Sequence, residues 1–172
     1  NNENNIRVVF MDQNHRLIRS LHLIEVLDSR QIKYIDVVYD AESDSYLFVY
    51  MDASSRIYAK MINSGGTIIE DEISLPQIHD DLCDNLKPIY LAFKPYDSGS
   101  DFALVYHSVD PSSVASGANS NLYYQKILRP NTGDLQIDTL KRVCDVDDTK
   151  VRGYADLFVS NDQFILIYGE ST

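Results

Sequence analysis

The sequence has 172 residues, 44% of them hydrophobic. That suffices for one sizeable domain with a real core and is too apolar for a chain that stays disordered. The formal net charge of −11 argues against a nucleic-acid backbone or an anionic membrane surface as partner, because both repel it; it fits solubility, calcium-rich surroundings or basic partners. No apolar run approaches the roughly 18 residues that a membrane-spanning helix needs, so no membrane insertion is expected.

Twelve Tyr and six Phe with no Trp, beside many Val, Ile and Asp, suit an all-β protein. The chain opens with Asn1 rather than Met and shows no signal peptide, and it reads as a processed product or an excised piece. After a polar start, Ile6 to Met11 reads as a strand and Arg16 to Leu23 as its hairpin partner, with Ile24-Glu25-Val26-Leu27 as a further edge strand. Tyr34 to Tyr39 is a strand of near-continuous apolar character interrupted by Asp36. The run Tyr46 to Met51, rich in aromatic and β-branched residues, reads as fully buried. Arg56 to Ile62 alternates more and reads as half-exposed. Asn63-Ser64-Gly65-Gly66 is a turn signal, and it leads into Thr67 to Leu75, whose Glu70, Asp71 and Glu72 would protect an exposed sheet edge.

The same four-strand order follows as Ile89–Phe93, Phe102–His107, Leu122–Leu128 and Asp134–Leu140, and restarts as Tyr154–Val159 and Phe164–Tyr168. Polar, acidic connections run from Pro76 to Lys87 and from Cys144 to Arg152. A Ser-, Ala- and Gly-rich insertion is expected from Ser108 to Asn121. The aromatics Phe10, Tyr50, Tyr106 and Tyr168 share a pattern of two aliphatic residues, an aromatic, any residue, then an acidic or small polar one. They lie 40, 56 and 62 residues apart. Four matches in register, with similar segments between, predict a repeat array. The expectation is one partial repeat domain over 1–172, with units near 6–32, 33–87, 88–150 and 151–172. Consecutive four-stranded antiparallel sheets of this length fit about three blades of a β-propeller-like array, fewer than a closed ring uses. The first unit lacks its opening strand and the last its closing pair.

The stretch Val38-Tyr39-Asp40, Asp44 to Tyr50 and Arg56 to Gly66 resembles the propeller-type repeats of large secreted and surface proteins of bacteria and protists. Their pattern is Y-L-V-V-W-x-D followed by I-Y-x-x-x-[VI]-x-x-x-G, and Tyr or Phe stands here where the pattern has Trp. The resemblance covers nearly all of residues 6–170 and is close only from Tyr34 to Leu75. It implies an extracellular or cell-surface scaffold or adhesive role, and it carries over no catalytic residue.

Asp40-Ala41-Glu42-Ser43-Asp44 has carboxylates at alternate positions, as a calcium loop does, but it lacks the glycine and the distal Glu, so hairpin-turn chemistry is the expectation. Asp145-Val146-Asp147-Asp148 reads as an acidic linker. Asp97 and Asp101, flanking Ser98-Gly99-Ser100, read as a turn. His15, His22, His79 and His107 are scattered without ligand spacing, and Cys83 and Cys144 show no zinc pattern. Their pairing is left open by spacing alone. Catalytic, cofactor and metal sites are all expected to be absent. The reading is a non-catalytic structural or protein-interaction module that meets other chains, or remaining segments of one assembly, through exposed strand edges. The alternative is a partial copy of a propeller enzyme acting on glycans, with Asp36 and Asp156, on successive innermost strands, as its candidates.

Overall fold

A computed structural model of the chain describes residues 6–24, 31–54, 56–76, 90–96, 99–109, 120–130, 134–143 and 151–171. Every regular element among them is a strand, and every pairing is antiparallel. The first sheet pairs β1 (Ile6–Met11) with β2 (Leu17–Ile24). The second is a meander of β3 (Ile32–Asp40), β4 (Ser45–Asp52), β5 (Ile57–Asn63) and β6 (Ile68–Ser74). The third runs β7 (Tyr90–Tyr96), β8 (Gly99–Val109) and β9 (Ser120–Pro130), with β10 (Gln136–Ile137) and β11 (Lys141–Arg142) both on the far edge of β9. The fourth pairs β12 (Val151–Ser160) with β13 (Gln163–Ser171).

The short polar residues that follow the apolar runs of β1, β4 and β5 have a local job. Asp12 Oδ1 accepts the amides of Asn14 and Arg16 at 2.8 and 3.0 Å, closing the β1–β2 turn. Asp52 Oδ1 accepts the Arg56 amide at 3.0 Å, and Asn63 Oδ1 the Thr67 amide at 2.8 Å. A short polar side chain at this position fixes the turn and therefore the register of the strands on either side. Two of these turns end on a left-handed residue, His15 at φ 59° and Gly66 at φ 75°. The last hairpin is tighter: Asn161 and Asp162, at φ 49° and 58°, form a two-residue connection whose twist matches its strands.

Alternate side chains of a strand leave opposite faces, and here both faces of the middle sheets are covered. Leu47, Val49 and Met51 of β4, with Ile57, Ala59 and Met61 of β5, pack against Phe102, Leu104 and Tyr106 of β8 and Tyr123 and Ile127 of β9. The other face of β4 and β5, Phe48, Tyr50, Tyr58 and Ile62, packs against Ile6, Val8 and Phe10 of β1. The other face of the third sheet, Ala92, Ala103, Val105 and Leu122, packs against Ala155, Leu157 and Val159 of β12 and Phe164, Leu166 and Tyr168 of β13. The four sheets are thus stacked face to face in chain order. Each fully buried large side chain in these layers is worth about 1.5–3 kcal/mol relative to exposure.

The expected strand order holds, with specific differences. β5, expected to be half-exposed, is buried at every position but Lys60 and Asn63, because it runs inside a sheet that is covered on both faces. β3 alternates instead of being continuously buried, since one of its faces is largely uncovered. Pairing between β8 and β9 continues to Val109 and Ser120, so four residues assigned to the Ser108–Asn121 insertion are strand. Ser100 and Asp101 also belong to β8, with Tyr96 opposite Gly99. Asp101 is buried, where its carboxylate meets the Lys126 ammonium at 2.7 Å, so it is not a turn residue. The expected strand Asp134–Leu140 is broken. The Asp138 amide donates to the Lys126 carbonyl and the Asp138 carbonyl accepts from the buried Gln125 side chain, which bends the segment between β10 and β11. Ile24 ends β2, and the rest of the edge strand expected there lies outside the described residues, as do His79, Cys83, Cys144 and the acidic run 145–148.

Candidate functional site

Two features draw attention: a buried polar clasp between the second and third sheets, and the open faces at the ends of the stack. The clasp starts from Asp40, the last residue of β3, which has no exposed surface. Its Oδ1 accepts the amides of Glu42 and Ser43 at 3.0 and 3.2 Å, the short-range pattern that Asp offers at a turn. Its Oδ2 reaches across the sheet interface, accepting from the Ser100 hydroxyl at 2.6 Å and from Arg129 at 3.4 Å, and from Ser43 within the turn. Burial alone would push the Asp40 carboxyl up, but the hydrogen bonds from Ser100 and Ser43, then from the two amides, outweigh it and hold the group below the usual carboxylate range. Arg129 also donates to the Ser45 hydroxyl at 3.4 Å. On its far side Arg129 borders a cleft of about 90 Å³, shared with Met61, Glu70 and Asp134.

The neighbouring Asp44 faces other partners. It accepts from the Ser64 hydroxyl and from Tyr39 Oη at 2.8 Å, tying the β3–β4 turn to the β5–β6 turn. The Ser64 and Tyr39 hydrogen bonds lower its carboxyl, and the same contact raises the Tyr39 phenol. The carboxylates of Asp40 and Asp44 therefore serve separate donors, in the turn and across the interface. No group of three or more His, Cys, Asp or Glu that could hold a metal ion occurs among the described residues.

Asp36 and Asp156 lie on β3 and β12, the first strands of the second and fourth sheets, with the third sheet between them. Each accepts the amide of the next residue, Val37 at 2.8 Å and Leu157 at 2.9 Å. The structure gives the two the same local contact and does not place them in one described site. Ser100 and Arg129 were not legible as partners of Asp40, because they stand 60 and 89 residues away and no local motif marks either.

At the ends of the stack, apolar side chains face outward. On the first hairpin, Val9, Met11, Leu17 and Ile18 are exposed; on the last, Phe158 and Ile167 are. Ile35, Val37 and Tyr39 of β3 are also exposed, on the strand face directed away from the third sheet. No helix among the described residues is long and apolar enough to cross a membrane. No protein-family model matches the sequence, and no curated protein and no solved structure matches it.

Proposed function

We propose that the chain is a non-catalytic structural and protein-interaction module, a run of β-propeller-like blades in a secreted or cell-surface repeat protein. It joins further segments or chains through the strand edges of β1 and β13. The observation that carries this reading is the difference between the middle and the ends of the stack. The second and third sheets have four and five strands, while the first and fourth have two described strands each. Backbone donors and acceptors along an open edge are a template for one more strand. The first strands β3 and β12 both lie against β7, and the exposed Ile35, Val37 and Tyr39 of β3 share the face that Phe48 and Tyr50 of β4 turn toward β1, where such an added strand would cover them. The resemblance of Tyr34 to Leu75 to secreted propeller-type repeats supports the compartment.

A strand-donor experiment tests the reading. A labelled peptide copying residues 32–40 should bind the chain, as followed by fluorescence anisotropy, and should slow amide exchange along β1; a scrambled peptide should do neither. Unchanged exchange in β1 and no peptide binding would rule out edge pairing at that strand.

A further inference from the structure

The outer faces of the two end sheets form a second kind of surface, separate from their edges. In β1 the residues that alternate away from the second sheet are Arg7, Val9 and Met11. Cross-strand pairing places Ser20 opposite Val9 and Leu17 opposite Met11 on the same face. Val9 is 49% exposed, Met11 57% and Leu17 65%. In the fourth sheet the residues alternating away from the third are Asp156 and Phe158 of β12, paired across to Ile167 and Ile165 of β13. Phe158 is 40% exposed and Ile167 59%. Apolar side chains clustered on one sheet face and ringed by polar ones mark a contact surface.

Among the described strand positions the two faces carry opposite charges. In a chain of net charge −11, the first outer face carries Arg7, with His22 across from it, and the last carries Asp156. We propose that the outer face of the first hairpin docks on the outer face of the last hairpin of a second copy, head to tail, with Arg7 of one copy against Asp156 of the other. The contact would repeat the face-to-face stacking that already joins the sheets within the chain three times. A symmetric pairing of either face with itself would gather like charges, which disfavours that arrangement. This inference stands apart from strand-edge pairing, since it uses side-chain faces and leaves the edge amides unpaired.

Sedimentation velocity on the full chain tests it. The wild-type chain should associate at concentrations of about 100 µM or below. Val9→Glu and Ile167→Glu should each sediment as a single chain of 19.6 kDa. Mixed in equal amounts they should form a 1:1 complex, because one intact head still meets one intact tail. Arg7→Glu and Asp156→Arg should each weaken association about tenfold, and the double variant should regain most of it. Circular dichroism checks that each variant folds, and Met11→Lys replaces Val9→Glu if that variant does not. A wild-type chain that stays single, a mixture that stays unassociated, or loss of association from one face only would each overturn the proposal. Peptide binding at β1 with no self-association would leave edge pairing standing and remove the head-to-tail contact; the reverse outcome would do the opposite.

Discussion

Asp40 shows how one side chain serves two scales. Its Oδ1 closes the turn that starts β4, and its Oδ2 ties that turn to Ser100 and Arg129 of the neighbouring sheet. Removing a buried carboxylate strands the donors that pointed at it, which costs more than the net worth of the bonds themselves. Asp40→Ala should therefore lower unfolding free energy by about 3 kcal/mol and Asp40→Asn by about 1–2 kcal/mol, read from urea denaturation. The pH dependence follows from the lowered carboxyl. The charged form is favoured more in the folded than in the unfolded chain, so the contribution is complete above the unfolded value near 4 and is lost as pH falls through the lower folded value. The stability difference between wild type and Asp40→Asn should be flat from about pH 5 to 7 and shrink below about pH 4. A difference that grew on acidification would mean that the carboxyl is raised by its burial.

At the scale of elements, β4 is buried at every position but Tyr46. Tyr50 has no exposed surface, stacks on Tyr58 with ring centroids 5.6 Å apart, and donates its hydroxyl to Glu72 of β6. Tyr50→Ala should cost about 3–5 kcal/mol, as for other large aromatic deletions in a core. Tyr50→Phe should cost less, about 1.5–3 kcal/mol for the lost hydrogen bond to a carboxylate; equal losses for the two would show that the hydroxyl rather than the ring carries the site. The β3 to β6 order was legible because apolar runs alternate with strong turn signals such as Asn63-Ser64-Gly65-Gly66. The ends of β8 and β9 were not, since Ser108, Ser120 and Asn121 have turn-like side chains while their backbones continue the ladder. The burial of β5 is hidden in the sequence for a related reason. Its alternation suggested a solvent face, and only tertiary stacking reveals that another sheet lies there.

For the whole molecule, the order of stacking was anticipated but one orientation was not. Tyr50, Tyr106 and Tyr168 each face the sheet that precedes their own in the chain, whereas Phe10, aligned with them by sequence, faces the sheet that follows. Facing the second sheet, the Phe10 ring lies under Arg19 at 4.6 Å, and Arg19 donates to the Ser64 carbonyl at 2.8 Å. That orientation leaves Val9 and Met11 outside. Clasp and open faces alike depend on successive residues of one strand meeting different neighbouring sheets. Leu104 and Val105 test this most directly, since they are adjacent in β8 and fully buried on opposite sides. Methyl NOE spectra should connect Leu104 to the group containing Leu47, Val49 and Ile127, and Val105 to the group containing Leu157 and Leu166, with no cross-peak between Val49 and Leu157. If Leu104 and Val105 instead share one set of partners, or if Val49 reaches Leu157 directly, the sheets are not stacked in chain order.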